Sequence, residues 1–380
     1  MKKTLLITLD YPPIRGGVAS YWSNLAAKMP AESICVLVSE DENSVHFDKD
    51  QEYTIYRRNL LSCNKWCWPK WLPMITYARN IIKKEKIEKL IVTHILPVGT
   101  VALILKLLFR IPYMVSMHGL DIAYASCSLK KKILARLILR YSDNIIVNSD
   151  YTKNLMFEKL CSKCGSKTEI IYPCPNVTHR EIETHDLNLF KQAHQLVGKK
   201  ILLTVARLVR RKGQDMVIKS LKKIKEKVPN ISYLIVGKGQ DTERLKELAR
   251  ENGVEDQILF FHDIRNKELS FFYQLADVFI MPSRKLDDGD VEGFGIVYLE
   301  ANSYGKPAIA GNVGGSPEAV LHNQTGLIVD PEDETDIASA VTTLLLDEEK
   351  AIQLGQAGKK RVEQEFSWDK QADKLKEMIK

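Results

Sequence analysis

MPSRKLDDGDVEGFGIVYLEANSYGKPAIAGNVGGSPEAV, residues 281–320, begins where the apolar run Val278-Phe279-Ile280-Met281 ends. A short apolar run bounded by polar residues reads as a buried strand. A loop rich in Asp and Gly follows, then Glu292-Gly293-Phe294-Gly295, then the first turns of a helix at Ile296-Val297-Tyr298-Leu299-Glu300-Ala301. Gly305-Lys306-Pro307 stops that helix, and Ala308-Ile309-Ala310 starts the next strand. Gly314-Gly315 opens a second helix at Ser316-Pro317-Glu318, with Pro in the first turn, where its missing N–H leaves no bond unmade. The unit is strand–loop–helix–strand–loop–helix. Its post-strand loops and helix N-termini gather at one edge of a parallel sheet, the edge at which open α/β sheets bind ligands.

The chemistry of that edge is specific. Glycines admit a ligand close to the backbone, and helix N-termini offer unpaired N–H groups and a positive dipole end to an anion. Glu292 and Glu300 lie eight residues apart, about two helical turns, so both can face one cleft. An ionised carboxylate there accepts from two sugar or ribose hydroxyls at once. Spacing alone equally allows Glu292 to be a charge complementing a helix dipole and Glu300 to be a solvated surface acid.

Outward from this stretch, 380 residues imply two domains. The 45% hydrophobic and 27% charged content is that of an ordinary globular chain. No apolar run reaches the ~18 residues of a spanning helix. The N-terminal MKKTLLITLD has an apolar core of only Leu5–Leu9, running into Asp-Tyr-Pro-Pro without a small-residue cleavage site. It reads as a first strand, and the expected location is the cytoplasm. Seven cysteines in a chain without a secretory segment are expected to be reduced thiols. Cys161-Ser-Lys-Cys164 has ligand spacing, but no second such pair and no histidine cluster accompanies it, so no zinc is expected. Asp287, Asp288 and Asp290 read as a solvated acidic loop rather than a metal site.

In the N-terminal half, Tyr11–Gly17 forms a loop between strand Leu5–Leu9 and a helix with apolar spacing at Val18, Tyr21, Trp22, Leu25 and Met29. Residues 40–80 read as irregular until a helix that runs from Leu72 to Lys84. Trp66, Trp68 and Trp71 cluster there as a core edge, an oligomer contact or an interfacial anchor. Strand Tyr113–Ser116 runs into Met117-His118-Gly119-Leu120-Asp121, which sets a histidine at a strand's carboxyl end. The polar stretch 178–199 reads as the linker into domain two. That domain opens with strand Ile201–Ala206 and the basic loop Arg207-Leu208-Val209-Arg210-Arg211-Lys212-Gly213. Two cations five residues apart, Arg207 and Lys212, can clamp a diphosphate, or simply decorate a surface turn. The chain from Asp336 to Glu365 reads as helical, with a last helix after Phe366.

EGFGIVYLEA, the Gly-Lys-Pro break and GGSPE together resemble the signature of the family 4 retaining glycosyltransferases of GT-B fold, which include phosphatidylinositol mannosyltransferases and polysaccharide-assembly enzymes. The resemblance implies an α/β chain with two Rossmann-like domains facing across a cleft and a C-terminal helix crossing back to the first. It implies an acceptor-binding domain at 1–177 plus 366–380 and a donor-binding domain at 178–365. The family's E-x7-E pair matches Glu292 and Glu300, and its R-x4-K-G matches Arg207 and Lys212. By the same match Gly16 and Gly17 lie near the donor diphosphate, His118 meets the transferred sugar with Asp121 as an orienting or acceptor-side partner, and the backbone at Ile264 reads the base. Gly293, Phe294 and Gly295 join Glu300 on the donor side. A nucleoside-diphosphate sugar is then the donor substrate, with no cofactor and no metal, and the product keeps the donor's anomeric configuration. A catalytically idle sugar-nucleotide-binding subunit would have lost clamp residues that stand here. Where the family has Asn-Gly after the proline at the domain junction, this chain has Pro175-Asn176-Val177.

Charge is uneven. Residues 1–177 hold 25 Lys and Arg against 15 Asp and Glu, although the whole chain is only +7. Leu129–Tyr141 carries Lys130, Lys131, Lys132, Arg136 and Arg140 with no acid. Its apolar residues Ile133, Leu134, Leu137, Ile138 and Tyr141 are expected to share one face and its bases another. Such a helix is either an ordinary amphipathic surface helix or a peripheral contact for an anionic membrane surface. No nucleic-acid motif accompanies the charge. A lipid-linked saccharide acceptor suits the second reading.

Overall fold

The computed structural model describes residues 1–14, 16–62, 68–176, 182–264, 268–287 and 289–380. Trp66, Asp288 and the expected domain boundary at Val177 lie outside them. The chain divides into two compact units, Met1–Pro173 with Trp368–Lys380, and Cys174–Ser367.

The first unit is built on a parallel sheet of β1 (Thr4–Ile7), β2 (Ile34–Ser39), β3 (Thr54–Arg58), β4 (Lys89–Val92), β5 (Tyr113–Met117), β6 (Asn144–Val147) and β7 (Thr168–Ile170), in the order β3-β2-β1-β4-β5-β6-β7. The central strands are continuous apolar runs because helices cover both faces. One face packs against helices Leu72–Glu85 and Val98–Phe109. The other packs against helix Gly17–Ala27 and the C-terminal helix Trp368–Ile379, which buries Ala372, Leu375 and Ile379. Lys89 Nζ donates to the Met378 carbonyl at 2.6 Å, and Gln371 Oε1 accepts from the Tyr172 N–H at 3.0 Å, so the last helix is tied at both ends.

The second unit has the parallel order β10-β9-β8-β11-β12-β13, from β8 (Lys200–Val205), β9 (Ile231–Val236), β10 (Ile258–Phe261), β11 (Val278–Met281), β12 (Ala308–Gly311) and β13 (Gly326–Val329). Strand order reverses direction beside β8 and β11, the switch point at which α/β sheets leave a crevice at their carboxyl ends.

Several expectations change. The part of 40–80 read as irregular contains helix Ser44–Lys49 and the edge strand β3, while the helix expected at Leu72–Lys84 forms as Leu72–Glu85. β3 is half-exposed and carries Arg57 and Arg58, so its composition hides it. Trp68 is exposed while Trp71 packs on the core, which divides the aromatic cluster between two roles. The stretch read as a linker contains helix Thr184–Ala193. The helical tract near the C-terminus is two helices, broken at Asp347, whose carboxylate accepts from the Lys350 N–H at 3.0 Å. Cys161 and Cys164 form a disulfide rather than free thiols. The same pairing leaves neither sulfur available to a zinc ion.

Candidate functional site

Loops leaving β8, β11 and β12 build one group of side chains in the second unit. The loop after β8 makes a single turn at Arg210–Lys212, and Gly213 leads it into helix Gln214–Lys227. A Cβ at Gly213 would stand 2.1 Å from the Pro282 carbonyl oxygen, so only glycine lets this loop press against the one after β11. The Arg284 N–H then donates to the Arg211 carbonyl at 2.9 Å. On the other side the Gly315 N–H donates to the Glu292 carbonyl at 2.9 Å. Gly314 adopts φ +66, and a side chain there would stand 2.3 Å from that same oxygen. The Glu292 carbonyl is thus held by the Gly314–Gly315 turn.

Its carboxylate is held as firmly. Arg211 Nη1 donates to Glu292 Oε2 at 2.7 Å, Lys212 Nζ pairs with the same oxygen, and Arg211 Nε donates to Asp290 Oδ2 at 3.0 Å. Glu292 Oε1 has no partner among the described residues. Burial works to raise the Glu292 carboxyl, but the adjacent Lys212 and Arg211 cations outweigh it and hold it at about 2. Burial lowers Lys212 from the ordinary lysine value, against the attraction of Glu292. Two cations face two carboxylates, which is how buried charges are tolerated at all. Asp290 is therefore committed to Arg211, and among the described residues no group of three metal-ligating side chains occurs.

The other donor-side candidates stand differently. Arg207 is exposed, its guanidinium has no partner among the described residues, and its charge is felt at Lys212. Glu300 is buried in a separate set of bonds, with Oε2 accepting from the Tyr273 hydroxyl at 2.7 Å and Oε1 from the Asn176 N–H at 3.4 Å. Burial raises its carboxyl, and the Tyr273 bond works against that rise. Phe294 is buried with its ring 5.8 Å from Phe366, so it offers a ligand backbone and not a side chain. Gly293 precedes it, and Gly295, at φ +93, opens helix Ile296–Ser303 with no side-chain cap on its first N–H groups. Ile264 follows β10 and is half-buried behind the exposed His262 and Asp263.

The first unit gathers a second group after β1, β4 and β5. Helix Gly17–Ala27 starts with no side-chain cap, and Cβ atoms at Gly16 or Gly17 would meet open space. His118 Nε2 lies 3.1 Å from Ser116 Oγ, and its ring stands edge-on to Tyr21 at 5.3 Å. Burial pushes the His118 imidazole down to about 3, with His94 acting the same way, so the ring is neutral at pH 7. Asp121 Oδ1 accepts from the His118 and Gly119 N–H groups at 3.0 and 3.1 Å. It therefore shapes the turn rather than gripping the ring. Burial raises its carboxyl, and Oδ2 is buried without a partner.

Two features escaped sequence reading. Arg211 stands among three consecutive basic residues, and no spacing rule says which of them turns inward. His94 Nε2 lies 3.3 Å from Asp10 Oδ2, and the hydrogen bond from His94 lowers the Asp10 carboxyl despite its partial burial. His94 Nδ1 also meets Thr93 Oγ1 at 2.8 Å. The only sequence signal for this pair is that both residues follow strands.

Known proteins resemble this chain along its whole length. Residues 187–361 match the family described as glycosyl transferases group 1, and residues 15–178 match glycosyltransferase family 4. The chain is 32% identical to the GDP-mannose-dependent alpha-(1-6)-phosphatidylinositol monomannoside mannosyltransferase of Mycobacterium tuberculosis, covering 100% of this chain and 98% of the relative. It is 29% identical to the GDP-mannose-dependent monoacylated alpha-(1-6)-phosphatidylinositol monomannoside mannosyltransferase of Corynebacterium glutamicum, covering 100% and 98%. HepE of Anabaena, solved in complex with UDP, superposes with a TM-score of 0.84 at 18% identity over 99% of both chains. Sucrose-phosphate synthase of Thermosynechococcus elongatus gives 0.81 at 22% identity over 99% and 98%. At such identities the two structures speak for the fold alone.

Proposed function

The chain belongs to the group 1, family 4 glycosyltransferases of GT-B fold, and we propose that it transfers mannose from GDP-mannose, with retention of configuration, to a lipid-linked acceptor of the phosphatidylinositol mannoside kind. The observation that carries this reading is the full-length likeness to relatives named for that donor and that acceptor class. The second unit takes the donor and the first takes the acceptor. Arg207 and Lys212 neutralise the departing diphosphate, the dominant electrostatic demand when such a group leaves. Their positive charge meets that demand without calling on a metal. Glu292 holds hydroxyls of the transferred sugar through Oε1. Glu300 takes the ribose, exchanging its Tyr273 bond for a ribose hydroxyl. The backbone at Ile264 reads the base, and the open N-terminus at Gly16 and Gly17 accommodates the diphosphate. Neutral His118 offers the sugar a hydrogen bond without adding charge. No side chain is assigned as a covalent nucleophile, so departure and attack occur on one face of the sugar within an ion-pair-like complex.

The acceptor half of the reading places the enzyme at the surface of an anionic leaflet on the cytoplasmic side. No helix among the described residues is long and apolar enough to cross a membrane. Helix Leu129–Tyr141 nevertheless exposes Leu129 (73%), Ile133 (50%), Leu137 (41%) and Tyr141 (44%) to solvent. Lys130, Arg136 and Arg140 are exposed on the same side. Apolar and basic residues thus share the outward face, where the sequence had suggested separate faces, and Ala135, Ile138 and Leu139 supply the packing. Each base near an anionic leaflet contributes about 1 kcal/mol.

The test is turnover of GDP-, UDP- and ADP-sugars with phosphatidylinositol monomannoside in vesicles, with and without phosphatidylglycerol. GDP-mannose should be consumed, and anionic vesicles should bind the protein in a salt-sensitive way. Proton NMR of the product should show the donor's α configuration. An inverted linkage would sink the retaining mechanism, use of a UDP-sugar alone would sink the donor, and indifference to anionic vesicles at low salt would sink the membrane claim.

A further inference from the structure

Lys212 has two claims on it under the proposed function. Without donor its ammonium is paired with Glu292, and with donor it must face the diphosphate. A buried carboxylate that lost its only cation would take up a proton and cease to accept hydrogen bonds from a sugar as an anion. Arg211 meets the same oxygen at 2.7 Å and has no comparable freedom. Its side chain is 8% exposed, its Nε is fixed on Asp290 at 3.0 Å, and its own carbonyl is held by the Arg284 N–H at 2.9 Å. Arg284 is in turn fastened to the buried Asp215 at 2.8 Å. The planar guanidinium, anchored at one end, presents a fixed donor to Glu292 at the other.

We infer that Arg211, braced by Asp290, is the positioning residue that keeps Glu292 charged and aimed while Lys212 turns to the donor's diphosphate. This rests on the proposed roles of Glu292 and Lys212 and divides the work among three cations. Arg207 and Lys212 serve the ligand, and Arg211 serves the protein. It accounts for both cations meeting Oε2 and leaving Oε1 unclaimed. It also gives Asp290 a purpose in a loop whose acids the sequence reads as merely solvated.

The inference can be tested without a donor. In protein with carbon-13-labelled glutamate carboxyls, the Glu292 signal is assigned by its loss in Glu292→Gln. Lys212→Ala imitates a lysine that has turned away. The Glu292 carboxyl should still titrate below its ordinary 4.5 in that variant, and above it in Lys212→Ala/Arg211→Met. A Glu292 that titrates at or above 4.5 in Lys212→Ala alone overturns the inference. In the kinetic arm, Arg211→Met should lose kcat on the order of a hundredfold with little change in KM for the donor. Arg211→Lys should recover part of that loss, and Asp290→Asn, which keeps the guanidinium but frees its far end, should lose about tenfold. A rise in donor KM at constant kcat would make Arg211 a diphosphate ligand and overturn the positioning role. Wild-type protein with no turnover on any nucleotide sugar would sink the proposed function while leaving the titration arm to stand or fall by itself.

Discussion

At the carboxyl edge of the second sheet, Arg211, Lys212, Asp290 and Glu292 carry full charges and spend them on one another within a buried cluster. At the corresponding edge of the first sheet, His118 is neutral, Asp121 is buried with its carboxyl raised, and the ionised Asp10 is half-exposed beside His94. Under the proposed function, the difference is what group transfer asks of a donor edge and an acceptor edge. A leaving diphosphate needs countercharge, which Arg207 offers unpaired among the described residues and Lys212 offers once it turns from Glu292, while Arg211 stays fixed. A hydroxyl acceptor needs hydrogen-bonding groups and little net charge.

The sharpest way to break this comparison is to remove charge from the second edge. Glu292→Gln and Lys212→Ala should each lower turnover by about 10² to 10³ with circular dichroism unchanged. Lys212→Ala should destabilise by less than the ~3–5 kcal/mol typical of an orphaned buried ion, because Arg211 still faces Glu292. Turnover within a few-fold of wild type in either variant would remove the residue from the site.

Acid should separate the two edges next. The folded His118 binds its proton only near 3, while the unfolded chain binds it near 6.5. Protonation therefore favours unfolding, and the first unit loses stability as pH falls from 6.5 toward 3, by about 1.4 kcal/mol for each unit fully inside that window. Glu292 is held at about 2 against an ordinary 4.5. Its contribution is complete above 4.5 and is lost only as pH falls from there toward 2. Hydrogen exchange at pH 7 and pH 5 should show the first unit loosening while the second stays protected. His118→Gln should remove that acid sensitivity from the first unit. Equal loosening of both units, or no effect of the substitution, would count against this account.

The second edge was also the more legible in sequence, for a physical reason. Strands β11 and β12 are short apolar runs with clear polar, Gly or Pro boundaries, and Glu292, Glu300, Arg207 and Lys212 stand at spacings that loop and helix geometry make meaningful. Spacing along one chain could not show that Glu300 would be satisfied by Tyr273, or that Arg211 rather than a neighbour would turn inward. Both depend on residues brought together from distant loops. The first unit hid more. Edge strand β3 lacks an apolar signature, and β7 is three residues long. The Asp10–His94 pair joins two strands 84 positions apart in sequence, and nothing local announces it.

The smallest effect tests what lies outside both edges. Helix Leu129–Tyr141 looked amphipathic in sequence because Ile133, Leu134, Leu137, Ile138 and Tyr141 fall within one arc at helical spacing. Only part of that arc meets the core. Ile138 is buried, whereas Ile133 and Leu137 are exposed beside Arg136 and Arg140. Ile133 and Leu137 are about half-exposed, so Ile133→Ser with Leu137→Ser removes only part of a buried side chain at each position, and stability should fall by no more than about 1–2 kcal/mol. Both edges are untouched, so turnover on a short-chain, water-soluble acceptor should also hold. Binding to vesicles containing phosphatidylglycerol should fall several-fold, and turnover on a vesicle-borne acceptor should fall with it. The same loss on both acceptors would mean that the helix supports the fold and not the membrane contact. Unchanged vesicle binding would mean that the bases hold the protein at the surface without help from the apolar row.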